Sequence, residues 1–211
     1  MRIEPLGDLA YILRDLEASP AATALALDRA RLVGMTDAVP CADTVGVYAR
    51  VPISYADIEA ACATAGSVEF TPAEWTIPVC YEFGEDLEGT AEKLGLTSEA
   101  LVRTHSSAEF ACFAIGFCPG FAYLGPLPES LRGVPRLGSP RVRTEPGSVG
   151  MTGNQTAVYP MVRPGGWPIV GRTPLVLVDV ESDYFPISVG DRVRFEPVSP
   201  TDFERLKGSR L

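Results

Sequence analysis

Apolar and polar positions switch between two periods over the first eighty residues. Leu9–Leu13 reads as a strand. Pro20–Val33 is rich in Ala and Leu and predicts a helix, with Pro20 in the first turn, where a missing N–H is tolerated. A short segment at Asp37–Pro40 precedes Thr44–Val51, a β-branched run that predicts a strand. Ser54 is placed to cap a helix through Ala65. Ile58, Ala61, Cys62 and Ala65 fall at i, i+3, i+4 and i+7 and define its inner face. Glu74–Glu82 (EWTIPVCYE) returns to a strand pattern. The resulting order, β-α-β-β-α-β, is that of a ferredoxin-like unit.

The second half is patterned differently. Short helices are predicted near Asp86–Leu94 and Ser98–Arg103, the second capped by Thr97 with Glu99 in its first turn. Glu109–Gly116 reads as a strand. Short β-like runs follow at Ser148–Met151, Thr156–Tyr159, Trp167–Arg172, Leu175–Val180 and Asp191–Pro197, separated by Gly/Pro turns. Many short strands with such punctuation predict a barrel or closed sheet. A last short helix is expected after Ser199. There is no internal repeat and no Ser/Gly linker. The change of pattern falls around Thr76–Gly84, so the expected organisation is α+β: a ferredoxin-like domain over 1–80 and a β-barrel domain over 81–211.

Composition sharpens one region. Residues 119–174 hold ten Gly and ten Pro, a level that would suggest disorder. Phe121, Tyr123, Val149, Met151, Tyr159, Trp167 and Ile169 run through it, however, and disordered chains lack such residues. The stretch therefore predicts an ordered surface of tight turns. It is also basic. Between Ser130 and Val178 stand six Arg and one acid, Glu145, within a chain of net charge −9. That overall charge argues against general nucleic-acid binding. The five cysteines include no CxxC pair, and there is one histidine, so a zinc site is not expected. The thiols read as reduced and mostly buried. No signal-peptide pattern and no apolar run of about 20 residues is present, which points to a cytoplasmic protein without a membrane role.

Four stretches carry candidate chemistry. GFCPGFAYLG (116–125) presents Phe121 and Tyr123 after two Gly/Pro turns. Gly120 would let backbone approach a ligand, although the aromatics would equally plug a barrel. GSVGMTGNQTAVYP (147–160) lacks a P-loop pattern but offers Gln155, Thr156 and Tyr159 as hydrogen-bonding groups; a plain glycine-rich hairpin is the alternative. RPGGWPIVGRTP (163–174) combines Trp167 with Arg172, whose fork suits carboxylate or phosphate. His105, in RTHSS, is either a structural hydrogen-bonding residue or an acid/base. No G-x-S-x-G elbow accompanies it.

Together with PLGDLAYIL and IPVCYEFGEDLE, these motifs resemble one family over nearly the whole chain. It comprises the B-type component of 5-oxoprolinase, proteins labelled allophanate hydrolase subunit 1, and the KipI-type inhibitor of a sporulation histidine kinase. The same module forms part of the carboxyltransferase domain of urea carboxylase. The resemblance implies a ferredoxin-like domain followed by a cyclophilin-like barrel. It implies work with two further components of a hetero-oligomer, a homologous C-type subunit, and one of A type. With ATP and Mg shared with the partner, these would open 5-oxo-L-proline to L-glutamate. The chain alone would be inactive, and no metal site is expected in it. On that reading His105 is the catalytic candidate, and Arg143 and Arg172 bind anionic oxygens. Gln155 and Tyr159 position the amide, with Gly120, Phe121, Tyr123, Thr156 and Trp167 as further contacts. The alternatives are a KipI-type regulator that binds a sensor kinase, a component of allophanate hydrolase or urea carboxylase type, and a prolyl isomerase.

Overall fold

Four antiparallel strands form the first sheet of the computed structural model, which describes all 211 residues. They are β1 (Arg2–Pro5), β2 (Ala10–Arg14), β3 (Met35–Cys41) and β4 (Thr44–Ala49), in the order β1-β2-β4-β3. Helix α1 (Pro20–Ala30) joins β2 to β3, and β4 lies between those strands, so the unit is a split β-α-β. The Ser19 side chain accepts from Ala22 N at 3.2 Å to start α1. Its buried face is mostly Ala, with Leu27 fully enclosed. Helix α2 (Tyr55–Ala63) begins at Ser54, which accepts from Asp57 N at 3.1 Å, and buries Ile58 and Ala61 as the spacing predicts. The Tyr11 hydroxyl clamps the entry to α2, donating to Ile53 O at 3.0 Å and accepting from Ile53 N at 2.9 Å.

Contacts group the chain into Met1–Pro72 and Ala73–Leu211. The strand expected to complete the first sheet, β5 (Glu74–Val79), belongs to the second sheet instead. The edge place beside β2 is filled from the N-terminal side by β1. Trp75, Ile77 and Val79 alternate with Glu74, Thr76 and Pro78, and the fully buried Ile77 and Val79 join the barrel core. There β5 pairs in parallel with β13 (Arg192–Pro197), whose Val193 and Phe195 face the same core.

The remaining elements are helices α3 (Leu87–Lys93), α4 (Ser98–Ser107) and α5 (Pro200–Leu206), and strands β6 (Glu109–Ile115), β7 (Ala122–Gly125), β8 (Arg141–Thr144), β9 (Ser148–Thr152), β10 (Gln155–Val158), β11 (Arg163–Gly165) and β12 (Ile169–Arg172). The seven-stranded sheet runs β12-β9-β10-β7-β6-β13-β5, with β8 and β11 as a separate ribbon. Its two ends meet through Cys80 N to Arg172 O at 2.8 Å and Arg172 N to Cys80 O at 3.0 Å. The sheet is thereby nearly closed into a barrel, the α+β organisation expected of a ferredoxin-like unit followed by a cyclophilin-like one. The seam requires glycine: a Cβ on Gly171 would sit 2.6 Å from Val79 Cγ1, and one on Gly84 would run into the Val170 backbone. The buried Asp191 ties β5 to the turn before β13, accepting from Ala73 N (2.9 Å), Trp75 Nε1 (3.1 Å) and Ser188 N (2.8 Å). Leu175–Val180, expected as a strand, forms only the isolated bridges Val176–Arg210 and Asp179–Tyr184. It follows Pro174, buries only Leu177, and ends in a turn held by Asp179. No helix is long and apolar enough to cross a membrane.

Candidate functional site

Phe117, Phe121, Tyr123, Tyr159 and Trp167 wall a cleft of about 120 Å³ beside the barrel, with Gly165 and Gly166 in its lining and Arg136 at its rim. Phe121 is the hub. Its ring stands edge-on to Tyr123, Tyr159 and Trp167, with centroids 4.9, 5.2 and 5.7 Å away. Such edge-to-face pairs favour a fixed arrangement beyond simple burial. Small residues make the cleft possible. A Cβ on Gly150 would approach Trp167 Cβ to 3.1 Å, and one on Gly165 would meet Tyr159 Oη at 2.6 Å and Thr144 Oγ1 at 2.7 Å.

The sequence singled out Phe121, Tyr123, Tyr159 and Trp167, and the structure gathers all four. It adds Phe117, which sequence reasoning passed over. Phe117 holds φ at 65° and is 58% exposed. Left-handed backbone at a bulky residue is rare and tends to occur at functional sites. Nothing local in GFCPG signals that conformation. Burial raises the Tyr159 phenol, and this is opposed by the Trp167 backbone N–H and by the charges of Arg136 and Arg141. The buried Cys118 thiol is also pushed up by burial, with Arg163 opposing.

Other expected site residues lie elsewhere. Gly120 sits in a left-handed turn packed on Val178 and Phe185. Arg143 pairs with the nearby Glu145 on an exposed strand. Gln155 begins β10, paired with Thr152. Arg172 donates through Nε to Pro146 O at 3.2 Å and lines a different groove, of about 470 Å³, with Phe83, Phe203 and Lys207.

His105 and Thr156 require correction, because both are fully buried in the barrel core. The imidazole stacks on Phe195 with centroids 4.7 Å apart. Its Nδ1 lies 2.7 Å from Tyr81 Oη and its Nε2 lies 3.0 Å from Thr156 Oγ1, which in turn donates to Gly150 O at 3.0 Å. One arrangement uses every proton: Tyr81 O–H donates to Nδ1, and Nε2–H donates to Thr156. The ring is therefore neutral, and burial pulls its pKa down to about 3. An acid/base must reach its substrate; this imidazole is 0% exposed with both nitrogens occupied. Leu101 and His105, at i and i+4 on α4, are the two residues that this helix buries, a spacing that was available in the sequence.

The fold places the chain in a known family of domains. The chain belongs to the family described as carboxyltransferase domain, subdomain C and D, which matches residues 1–186. Among its relatives, the 5-oxoprolinase B subunit of Escherichia coli O157:H7 is 47% identical over 125 residues, covering 57% of this chain and 56% of that one. The 5-oxoprolinase B subunit of Bacillus subtilis (strain 168) is 41% identical over 134 residues, covering 62% and 55%. The chain thus matches a little over half the length of these curated relatives. The crystal structure of TTHA0988 superposes with a TM-score of 0.77 at 32% identity, over 90% of this chain and 40% of that one. The Kluyveromyces lactis urea carboxylase gives 0.66 at 17% identity, over 97% and 22%, a likeness of fold.

Proposed function

We propose that this chain is one component of an ATP-dependent 5-oxoprolinase, which opens 5-oxo-L-proline to L-glutamate together with a homologous C-type subunit, and one of A type. The observation that carries this reading is the 41–47% identity to three relatives, each named as the B subunit of 5-oxoprolinase. The aromatic cleft supports it chemically. Edge-on aromatic rings accept a small, flat ring, and Arg136 at the rim is a cation without a salt bridge, suited to a carboxylate. Both features are what a cyclic amide bearing a carboxylate requires.

On this reading the nucleotide is held elsewhere. About 120 Å³ is well under the few hundred Å³ of ordinary cofactor pockets, and no P-loop pattern supplies a phosphate cradle. On this proposal ATP, with Mg, is held by the partner or on a surface shared with it, and the chain contributes the ring-binding cleft. The test is reconstitution: ATP-dependent glutamate formation from 5-oxo-L-proline by the three components, with and without this chain. Full activity in its absence would reject the assignment.

A further inference from the structure

The loop that joins β6 to β7, residues 116–121, is tied by three backbone hydrogen bonds. Gly116 N donates to Phe121 O at 3.2 Å and closes its base. Phe121 N donates to Cys118 O at 3.1 Å across Pro119 and Gly120, and with Gly120 at φ 68° this is a type II turn. Cys118 N donates to Gly116 O at 2.7 Å, which makes 116–118 a γ-turn centred on Phe117. With Phe117 at φ 65° the turn has the hand that is rare and strained. The other two bonds over-determine the loop, the condition under which such strain persists.

Nothing in the turn asks for phenylalanine. Glycine takes a positive φ without a steric penalty, and burial returns little to Phe117, which is 58% exposed. What its side chain does is wall the aromatic cleft. Its ring crosses those of Phe121 and Tyr159 at 76° and 90°, with centroids 5.3 and 6.4 Å away, so neither lies flat on it. Phe121, Tyr159 and Trp167 are buried and Tyr123 is half-buried, which makes Phe117 the aromatic wall with the most surface left to a ligand. We propose that Phe117 sets which ring the cleft admits: the strained turn fixes its side chain as the outer wall against a five-membered cyclic amide, and a larger ring is excluded. This rests on the reading of the cleft as the substrate site. The cleft holds only about 120 Å³, so one added methylene in the ring presses on a wall held by its turn.

Titration calorimetry on the full chain tests it with two probes: 5-oxo-L-proline and its six-membered homologue, (S)-6-oxopiperidine-2-carboxylate. The wild type is expected to bind the five-membered ring about tenfold or more tighter, the scale of one methylene in a fitted pocket. Phe117→Ala is expected to weaken 5-oxo-L-proline by up to about tenfold, the scale of one lost aromatic contact, and to bring the two rings toward equal affinity. Phe117→Gly is expected to do the same and to melt at a higher temperature than Phe117→Ala, because glycine relieves the turn. Wild-type affinities and an unchanged preference between the rings in Phe117→Ala overturn the proposal and leave the oxoprolinase reading standing, whatever the variant's melting temperature. A lower melting temperature in Phe117→Gly than in Phe117→Ala also overturns it, since the strain would then be absent. Equal or stronger binding of the six-membered ring by the wild type does the same. Failure of the wild type to bind either ring overturns the role of Phe117 as well; the oxoprolinase reading then stands or falls on reconstitution.

Discussion

The neutral His105 in the barrel core makes stability depend on pH from about 7 down to 5, above the range in which most of the 27 Asp and Glu titrate. In the unfolded chain an imidazole has a pKa near 6.5; in the folded chain burial lowers it to about 3. The unfolded state therefore binds more protons, so His105 favours the unfolded state increasingly as pH falls from about 6.5 toward 3, and this contribution is absent above that range. At pH 5 the unfolded imidazole is almost fully protonated and the folded one is not. The linkage amounts to about 2 kcal/mol lost relative to neutral pH, with a slope near 1.3 kcal/mol per pH unit. For a chain of this size that is a fall of roughly 4–8 °C in melting temperature. His105 is the only histidine. Asp28, raised by burial, is common to wild type and variant and cancels in their comparison. Urea unfolding of the wild type and His105→Gln from pH 7.5 to 5 measures the slope. The wild-type slope near pH 5 should exceed that of the variant by about 1.3 kcal/mol per pH unit, whatever the variant's absolute stability. A variant with the wild-type slope, or an imidazole seen by NMR to titrate near its ordinary value, would refute the argument.

Three further outcomes follow from the geometry. Asp191→Ala removes the acceptor for three N–H donors around the start of β5; at roughly 1–3 kcal/mol for a buried donor left unmet, chemical denaturation should show a loss of about 2 kcal/mol or more. Gly171→Ala forces a methyl to within 2.6 Å of Val79 at the seam; overpacking of this kind costs about 1–3 kcal/mol and should speed hydrogen exchange at Cys80 and Arg172. Trp167→Ala opens one wall of the cleft and should raise the KM for 5-oxo-L-proline in the reconstituted enzyme by about tenfold or more, on the scale of a lost aromatic contact. An unchanged KM would remove the cleft from the substrate path.

Local chemistry was legible in the chain, and distant pairing was not. Ser54 and Thr97 cap the helices they were expected to cap, accepting from Asp57 N and Ala100 N, because a cap depends on residues two or three positions away. The inner face of α2 follows from spacing for the same reason. The membership of β5 was illegible, since its partners lie on β13, over a hundred residues later. A half-buried strand reads alike in either sheet. Part of the cleft could be read: four aromatics in a Gly/Pro-rich stretch signalled an ordered surface. Arg141 and Thr144 could not be found that way. Arg141 is held by Asp86, 55 positions upstream, and Thr144 Oγ1 stands where a side chain on Gly165 would reach.

The pairing of β5 with β13 also orders events during synthesis. Residues 74–79 leave the ribosome long before residues 192–197 exist, and their place in the sheet is defined only when those arrive. Until then an apolar strand waits without its neighbour, the kind of species that associates with other chains. Glu74 and Pro78 within the strand, with Glu82 just beyond, interrupt its apolar character, the pattern expected of residues that discourage such association. The last strand to be made is thus the one that gives the first strand of the barrel its place, and truncation before Arg192 should yield an aggregating product rather than a smaller barrel.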